Sequence, residues 1–316
     1  MAQANFLFSN RIGLTTFGTC LAVGLLSALM SSASVRKLCK ILERVAPLKL
    51  AEKWDNVGLL LEAPIPRPNA NRILLTIDLT PAVAEEAINS STSFIVSYHP
   101  TIFKPLSSLT LANPLQNSLL RCAAAGVSVY SPHTALDSIH GGINDWLASG
   151  LIPPPQRGEV SILGEVFEGG LGGQGRLVTL PEPVSMGEIE RRVKGHLGLK
   201  HLQVAYPHGQ TADSQSVRTI SICAGSGGSM LLGTRADVYF TGEMSHHEVL
   251  AAVATGHNVI LCGHTNTERG YLPTLGEKIK SYLEEEASNA DPEFATALRA
   301  LEVHVSQEDR HPLQIV

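Results

Sequence analysis

The sequence predicts an α/β fold built from two halves of similar plan. Short apolar runs alternate with helical patterns, the signature of βαβ units. The apolar runs end abruptly in polar clusters, and such clusters recur in both halves: ILLTIDL and IVSYHP in the first, ISICAGSG, VYFTGE and VILCGHTNTE in the second. A length of 316 residues holds one large or two ordinary domains with a sizeable core. Hydrophobic residues make up 44% and charged ones 17%, a balance that excludes a disordered tail or a coiled coil.

Taken in order, Ser34 is positioned to cap a first helix carrying Val35, Leu38, Ile41, Leu42 and Val45 on one stripe, ended near Pro47. Strands are expected from Arg72 to Asp78, Ser93 to Tyr98 and Val127 to Ser131. Helices from Pro81 to Asn89 and Pro114 to Ala125 lie between them, each opening on a proline at a tolerated first-turn position. Pro153, Pro154 and Pro155 mark a loop. The glycines from Gly169 to Gly175 read as a hairpin turn between Ile162 to Phe167 and Arg176 to Thr179. A helix from Ser185 to Leu197 and strands from Val217 to Cys223, Asp237 to Thr241 and Asn258 to Cys262 complete the second half. A charged helix near Glu277 to Glu286 and a strand from Leu301 to Ser306 close the chain. The expected units are an N-terminal extension over residues 1–34, a first α/β half over 35–152 and a second over 153–316.

Residues 1–34 contain no Asp or Glu, are rich in Ser and Thr, and carry one Arg ahead of the apolar run from Ile12 to Met30. This reads as an organellar transit peptide, with mitochondrial and/or cytoplasmic residence expected. A membrane or secretory signal and an uncleaved extension stay open beside it, because the run approaches the ~20 residues of a span. Five scattered cysteines without a CxxC pair argue against a disulfide framework or zinc ribbon and for a reducing compartment. With 24 Lys plus Arg against 29 Asp plus Glu, no broad basic face is available, and direct nucleic-acid binding is not expected.

Histidines, 12 in all, mark the chemistry. His99 follows an apolar strand and precedes Pro100, which holds it extended, so it projects from the strand end. His133 and Asp137 follow the strand ending at Ser131. His264 and Glu268 follow the strand ending at Cys262, and a helical turn there would put both on one face. Imidazole and carboxylate together suit Zn, Mn or Fe, and a bridging carboxylate can hold two ions roughly 3.5–4 Å apart. Each residue alone also has an ordinary use: Asp137 as a turn cap, Glu268 on a solvated face, a lone His as a surface hydrogen-bonding group. Glu243, His246 and His247 stand at the next strand end. Gly225 to Ser229 either presents N–H groups to a phosphate or permits close packing. Ligands of open α/β sheets bind beyond the carboxyl ends of the strands, where these clusters lie.

Trp54–Glu62 (WDNVGLLLE), SYHPTIF, SPHTALD with Gly141–Ala148 (GGINDWLA), CAGSGGS, DVYFTGEMSHHE and GHTNTERGYL together resemble the Nif-three-like family of metal-binding proteins. Their order and spacing match from about Val35 to Val316. The resemblance implies two interlinked α/β domains, a dinuclear metal site in the cleft between them and a toroidal hexamer, in the short form without an inserted domain. The implied metal ligands are His99, Asp137, His264 and Glu268. His133, Glu243 and His247 are implied pocket residues, with His133 the general-base candidate. Many members carry a second histidine where this chain has Tyr98, a poor ligand, so one or two divalent ions per chain are expected. Three functions follow: a metal-dependent hydrolase of the GTP cyclohydrolase-like kind acting on a nucleotide or purine-like substrate, a non-catalytic partner of transcriptional regulators, or a metal-handling protein.

Overall fold

A computed structural model describes residues 32–155, 157–167, 169–213 and 216–316. The extension expected over residues 1–34 falls outside the described residues up to position 31. Among the described residues, no helix is long and apolar enough to cross a membrane.

The first half holds α1 (Ser32–Val45), β1 (Gly58–Leu61), β2 (Arg72–Thr76), α2 (Pro81–Asn89), β3 (Thr92–Ser97), α3 (Pro114–Ala124), β4 (Ser128–Ser131), α4 (His133–Ser138) and α5 (Ile143–Leu151). The second holds β5 (Glu159–Ile162), β6 (Arg176–Ser185), α6 (Met186–Leu197), β7 (Gln203–Ala205), β8 (Ser216–Ser226), α7 (Gly228–Leu231), β9 (Val238–Glu243), α8 (His246–Ala254) and β10 (Asn258–Leu261). Two short 3-10 turns lead into α9 (Leu272–Ser288), followed by α10 (Pro292–Arg299) and β11 (Glu302–Val305). The expected mixed α/β fold is therefore present, as two sheets with helices around them.

Local chemistry explains the helix starts. Thr80 accepts from the Val83 amide at 3.3 Å and Asn113 from the Leu115 amide at 3.0 Å, each just before its helix-opening proline. Ser185 caps α6, and Gly198 ends it in the left-handed conformation at φ +66°. The hairpin forms, but its first strand lies three residues earlier than the expected Ile162 start, pairing Glu159 with Thr179 and Ile162 with Arg176. Among the elements the sequence reading does not include are β1, α5, β7 and α10. β7 has three residues and α10 eight, and β1 is a four-residue strand opened by glycine, too little chain for a period to show.

The first sheet runs β1-β4-β3-β2-β11, parallel except at β1; the second runs β5-β6-β8-β9-β10-β7, parallel across β8, β9 and β10. Strand alternation sorts the core into layers. Ile73, Leu75, Phe94 and Val96 face one large cluster that also takes Ile220, Ile222, Val238 and Phe240 from the second sheet. Leu74 and Ile95 face the opposite way, under α2 and α3, with Val83, Ala87 and Leu119. A shared core thus ties the halves together. β11 reinforces the tie, because it comes from the far end of the chain and pairs in parallel with β2.

Candidate metal centre

Two parallel strands of each sheet, β3 and β4 in the first and β8 and β10 in the second, end at one cavity of about 710 Å³, a volume suited to a small molecule. Tyr98 and His99 come from the end of β3, His133 and Asp137 from α4, Cys223 and Gly225 from β8, and His264 and Glu268 from the turn after β10. The His99 amide bonds the Ile77 carbonyl at 2.9 Å, keeping the chain extended into Pro100 as the sequence requires. Gly263, at φ +84°, turns the chain out of β10 into the 3-10 turn His264–Thr267.

Among the described residues, one group of potential ligand atoms lies close enough to share a metal ion: His99, His264 and Glu268, all within 4.8 Å of one another. His264 Nε2 lies 3.3 Å from Glu268 Oε1, and His99 Nε2 lies 3.5 Å from Glu268 Oε2. The expected i,i+4 placement of His264 and Glu268 is therefore realised in a 3-10 turn rather than an α-helix.

A second layer orients the imidazoles. Asp78 Oδ1 holds His99 Nδ1 at 2.9 Å, Glu243 Oε1 holds His264 Nδ1 at 2.9 Å, and Asp55 Oδ1 holds His133 Nδ1 at 2.7 Å. Each pairing leaves Nε2 free to serve as ligand or base, the arrangement that carboxylates give to metal-binding histidines. Burial works against charge on His99, but the carboxylates of Asp78 and Glu268 outweigh it and lift its pKa to about 10. The pocket favours positive charge at that position.

Two local features fit a cation. Glu268 is 1% exposed, and its buried Oε2 makes no hydrogen bond, with His99 Nε2 standing off at 3.5 Å. Such an atom is costly unless something positive completes it. Opposite, Gly225 sits at φ +64°, where a Cβ would lie 2.8 Å from Glu268 Oε1 and 3.0 Å from His264 Nε2. Glycine at this position keeps open the space beside both ligand atoms.

Asp137 lines the same cavity but stands outside the close group. Its Oδ1 accepts from the Tyr98 hydroxyl at 2.7 Å. Burial pushes the Asp137 carboxyl up to about 6, against the opposing pull of His133 and of the Tyr98 hydrogen bond. Burial, with Asp137 and Glu268 nearby, drives the Tyr98 phenol far above its ordinary range, so Tyr98 is a neutral donor that positions Asp137. His133 lines the cavity, its ring centroid 5.4 Å from that of His99. Glu243 acts through His264 and is not among the lining residues; His247 is exposed on α8 with its ring against His246. Asp55 and Asp78 were missing from the sequence-based set of site residues. The signal for both was present, in the WDN of Trp54–Asn56 and in the polar end of ILLTIDL, but neither carried a histidine beside it.

Fold and site define a class: a two-sheet α/β protein whose strand ends present a histidine–carboxylate group able to hold a metal ion. The chain belongs to the Duf34/NIF3 family (NGG1p interacting factor 3), whose model matches residues 33–296. It is 48% identical over 274 residues to "Protein NIF3 homolog" of Schizosaccharomyces pombe, covering 83% of this chain and 95% of that one. It is 36% identical to "NGG1-interacting factor 3" of Saccharomyces cerevisiae, over 92% of this chain and all (100%) of that one. The fold matches that of a Bacillus cereus protein related to NIF3 with TM-score 0.72 at 19% identity, covering 89% of this chain and 98% of that one.

Proposed function

We propose that this chain is a metal-dependent hydrolase acting on a nucleotide or purine-like substrate. The observation that carries the reading is an imidazole base held beside a metal-binding group: His133, fixed by Asp55, faces the pocket of His99, His264 and Glu268. His99, His264 and Glu268 would hold a divalent Zn, Mn or Fe ion, with Asp137 as the further carboxylate. Such an ion polarises a carbonyl or phosphoryl oxygen and makes water acidic near neutral pH. His133 Nε2 then takes the proton of the attacking water, while the Asp55 carboxylate stabilises the resulting imidazolium. His133 has a positive φ of +30°, backbone strain of the kind stored at working sites. A planar substrate ring is supported by Trp54 and Phe103, exposed at the mouth with centroids 5.9 Å apart and planes 63° apart.

The test is turnover of a nucleotide panel by the full chain loaded with each metal. His133→Ala is expected to lower turnover by about 10²–10⁴-fold while leaving bound metal unchanged. Absence of turnover with every metal would favour the second reading, a non-catalytic partner of transcriptional regulators; of this, the name of the Saccharomyces cerevisiae relative supports the protein partnering. Metal bound and released without either activity would instead indicate metal handling.

A homo-oligomeric ring, a hexamer by family resemblance, belongs to the same reading. Leu109 and Leu111 are more than half exposed along one loop, an apolar surface that association would cover. Light scattering of the full chain is expected to give a mass several times the 33.7 kDa of one copy. A monomer at every concentration would overturn it.

A further inference from the structure

Behind the metal-binding group, the C-terminal tail crosses from one sheet to the other. Ser306 continues β11, its amide bonded to the Leu75 carbonyl at 2.8 Å, and Glu86 anchors the Ser306 hydroxyl and the Gln307 amide. The tail then delivers Asp309, whose side chain is 1% exposed. Its two carboxylate oxygens go to different parts of the molecule. Oδ2 accepts from the Ile77 amide at 2.7 Å, and Oδ1 accepts from Arg269 Nη2 at 2.8 Å. Ile77 immediately precedes Asp78, which orients His99. Arg269 immediately follows Glu268. Arg269 Nη1 also donates at 2.8 Å to Thr265 Oγ1, beside His264, and that hydroxyl bonds His311 Nδ1 of the tail at 2.8 Å.

We propose that Asp309 is a positioning residue of the metal centre, a strut that holds the turn carrying His264 and Glu268 in register with the adjacent strand ends carrying Asp78 and His99. The proposal rests on the metal reading above. Asp309 does not line the cavity, so it touches neither metal nor substrate. It acts through the spacing of ligands contributed by two different sheets. That spacing matters because metal–ligand distances tolerate only about ±0.2 Å, and a site about 1 Å too loose loses function. Simple packing of the tail would not require a carboxylate, since a buried charge contributes to stability only when its partners complete it. Here both oxygens are completed, each by a donor next to one part of the metal centre.

Asp309→Asn tests the strut with little change of shape. An amide has one acceptor oxygen for two donors, so one arm must fail whichever way it is turned. Co(II) affinity of the full chain, measured by chelator competition, is expected to fall about 10–100-fold, the range for lost outer-shell partners. The visible absorption of bound Co(II) is expected to shift as well, while circular dichroism of the metal-free protein stays native. A merely structural contact would leave that spectrum unchanged. If Asp309→Asn does not fold, Arg269→Lys carries the same measurement, because it keeps the charge and loses the fork that spans Asp309 and Thr265. Unchanged affinity and spectrum in a folded variant would overturn the proposal alone. Failure of the unaltered chain to bind Co(II) would overturn the metal reading and the proposal with it.

Discussion

Glu268→Ala is expected to reduce divalent-metal affinity by more than about 100-fold, beyond the 10–100-fold range typical of outer-shell partners. Among the described residues, Glu268 is the one carboxylate shared by both imidazoles, with an oxygen 3.3 Å from His264 Nε2 and the other 3.5 Å from His99 Nε2. Its removal leaves the two ligands facing each other without the anion that offsets the charge of a cation. Gly225→Ala is expected to reach a comparable loss by a different route. The added Cβ lies 2.8 Å from Glu268 Oε1, and φ +64° costs a non-glycine residue about 1–2 kcal/mol. Metal content and Co(II) titration of the purified variants measure both effects. Near-normal metal in Glu268→Ala would remove the basis for the site. Asp137→Ala in the same series decides its role: a loss equal to that of Glu268→Ala makes Asp137 a ligand, and a loss of about tenfold or less leaves it an outer-shell group positioned by Tyr98.

Arg176→Ala is expected to destabilise the fold by about 3–5 kcal/mol, the cost of breaking a buried ion pair from one side. The Arg176 side chain is 1% exposed. Its Nε and Nη2 reach both oxygens of Asp145 at 2.6 and 2.9 Å. Nη1 donates to the Gly173 and Gly175 carbonyls, and Nη2 also reaches the Ser138 and Ile139 carbonyls at 3.2 Å. Arg176 opens β6 of the second sheet, whereas Ser138 closes the helix that carries His133 and Asp137. The guanidinium therefore joins the halves just behind the cavity. Urea denaturation of the metal-free protein measures the change, and a loss below about 1 kcal/mol would show that the joint rests on the shared apolar core instead.

Glu268 and Arg176 differ in how visible they are in the chain. Glu268 could be read because it stands four residues after His264, beyond an apolar strand, in a segment that also carries a family motif. Arg176 gave no such sign: a charged residue at the start of a hairpin strand is ordinarily solvated, and its burial depends on Asp145 and on the Ser138 and Ile139 carbonyls of the other half as well as on its own neighbours.

Strand alternation, helix caps and the polar ends of parallel strands arise from neighbours within a few residues, so the sequence displays them directly. Pro100 extends His99, Thr80 and Asn113 start helices, and Ile73 and Leu75 face away from Leu74, all by local geometry. Pairing between segments has no comparable local mark. Asp78 meets His99 across 21 residues, Asp55 meets His133 across 78, and Asp309 meets Ile77 across 232. His247, an implied pocket residue, and its neighbour His246 follow a strand end as His264 does, yet α8 leaves both exposed while the turn after β10 carries His264 into the cavity. Sheet order and the packing of the shared core choose among these possibilities, because burial selects which polar groups must find partners and only folding brings those partners within reach.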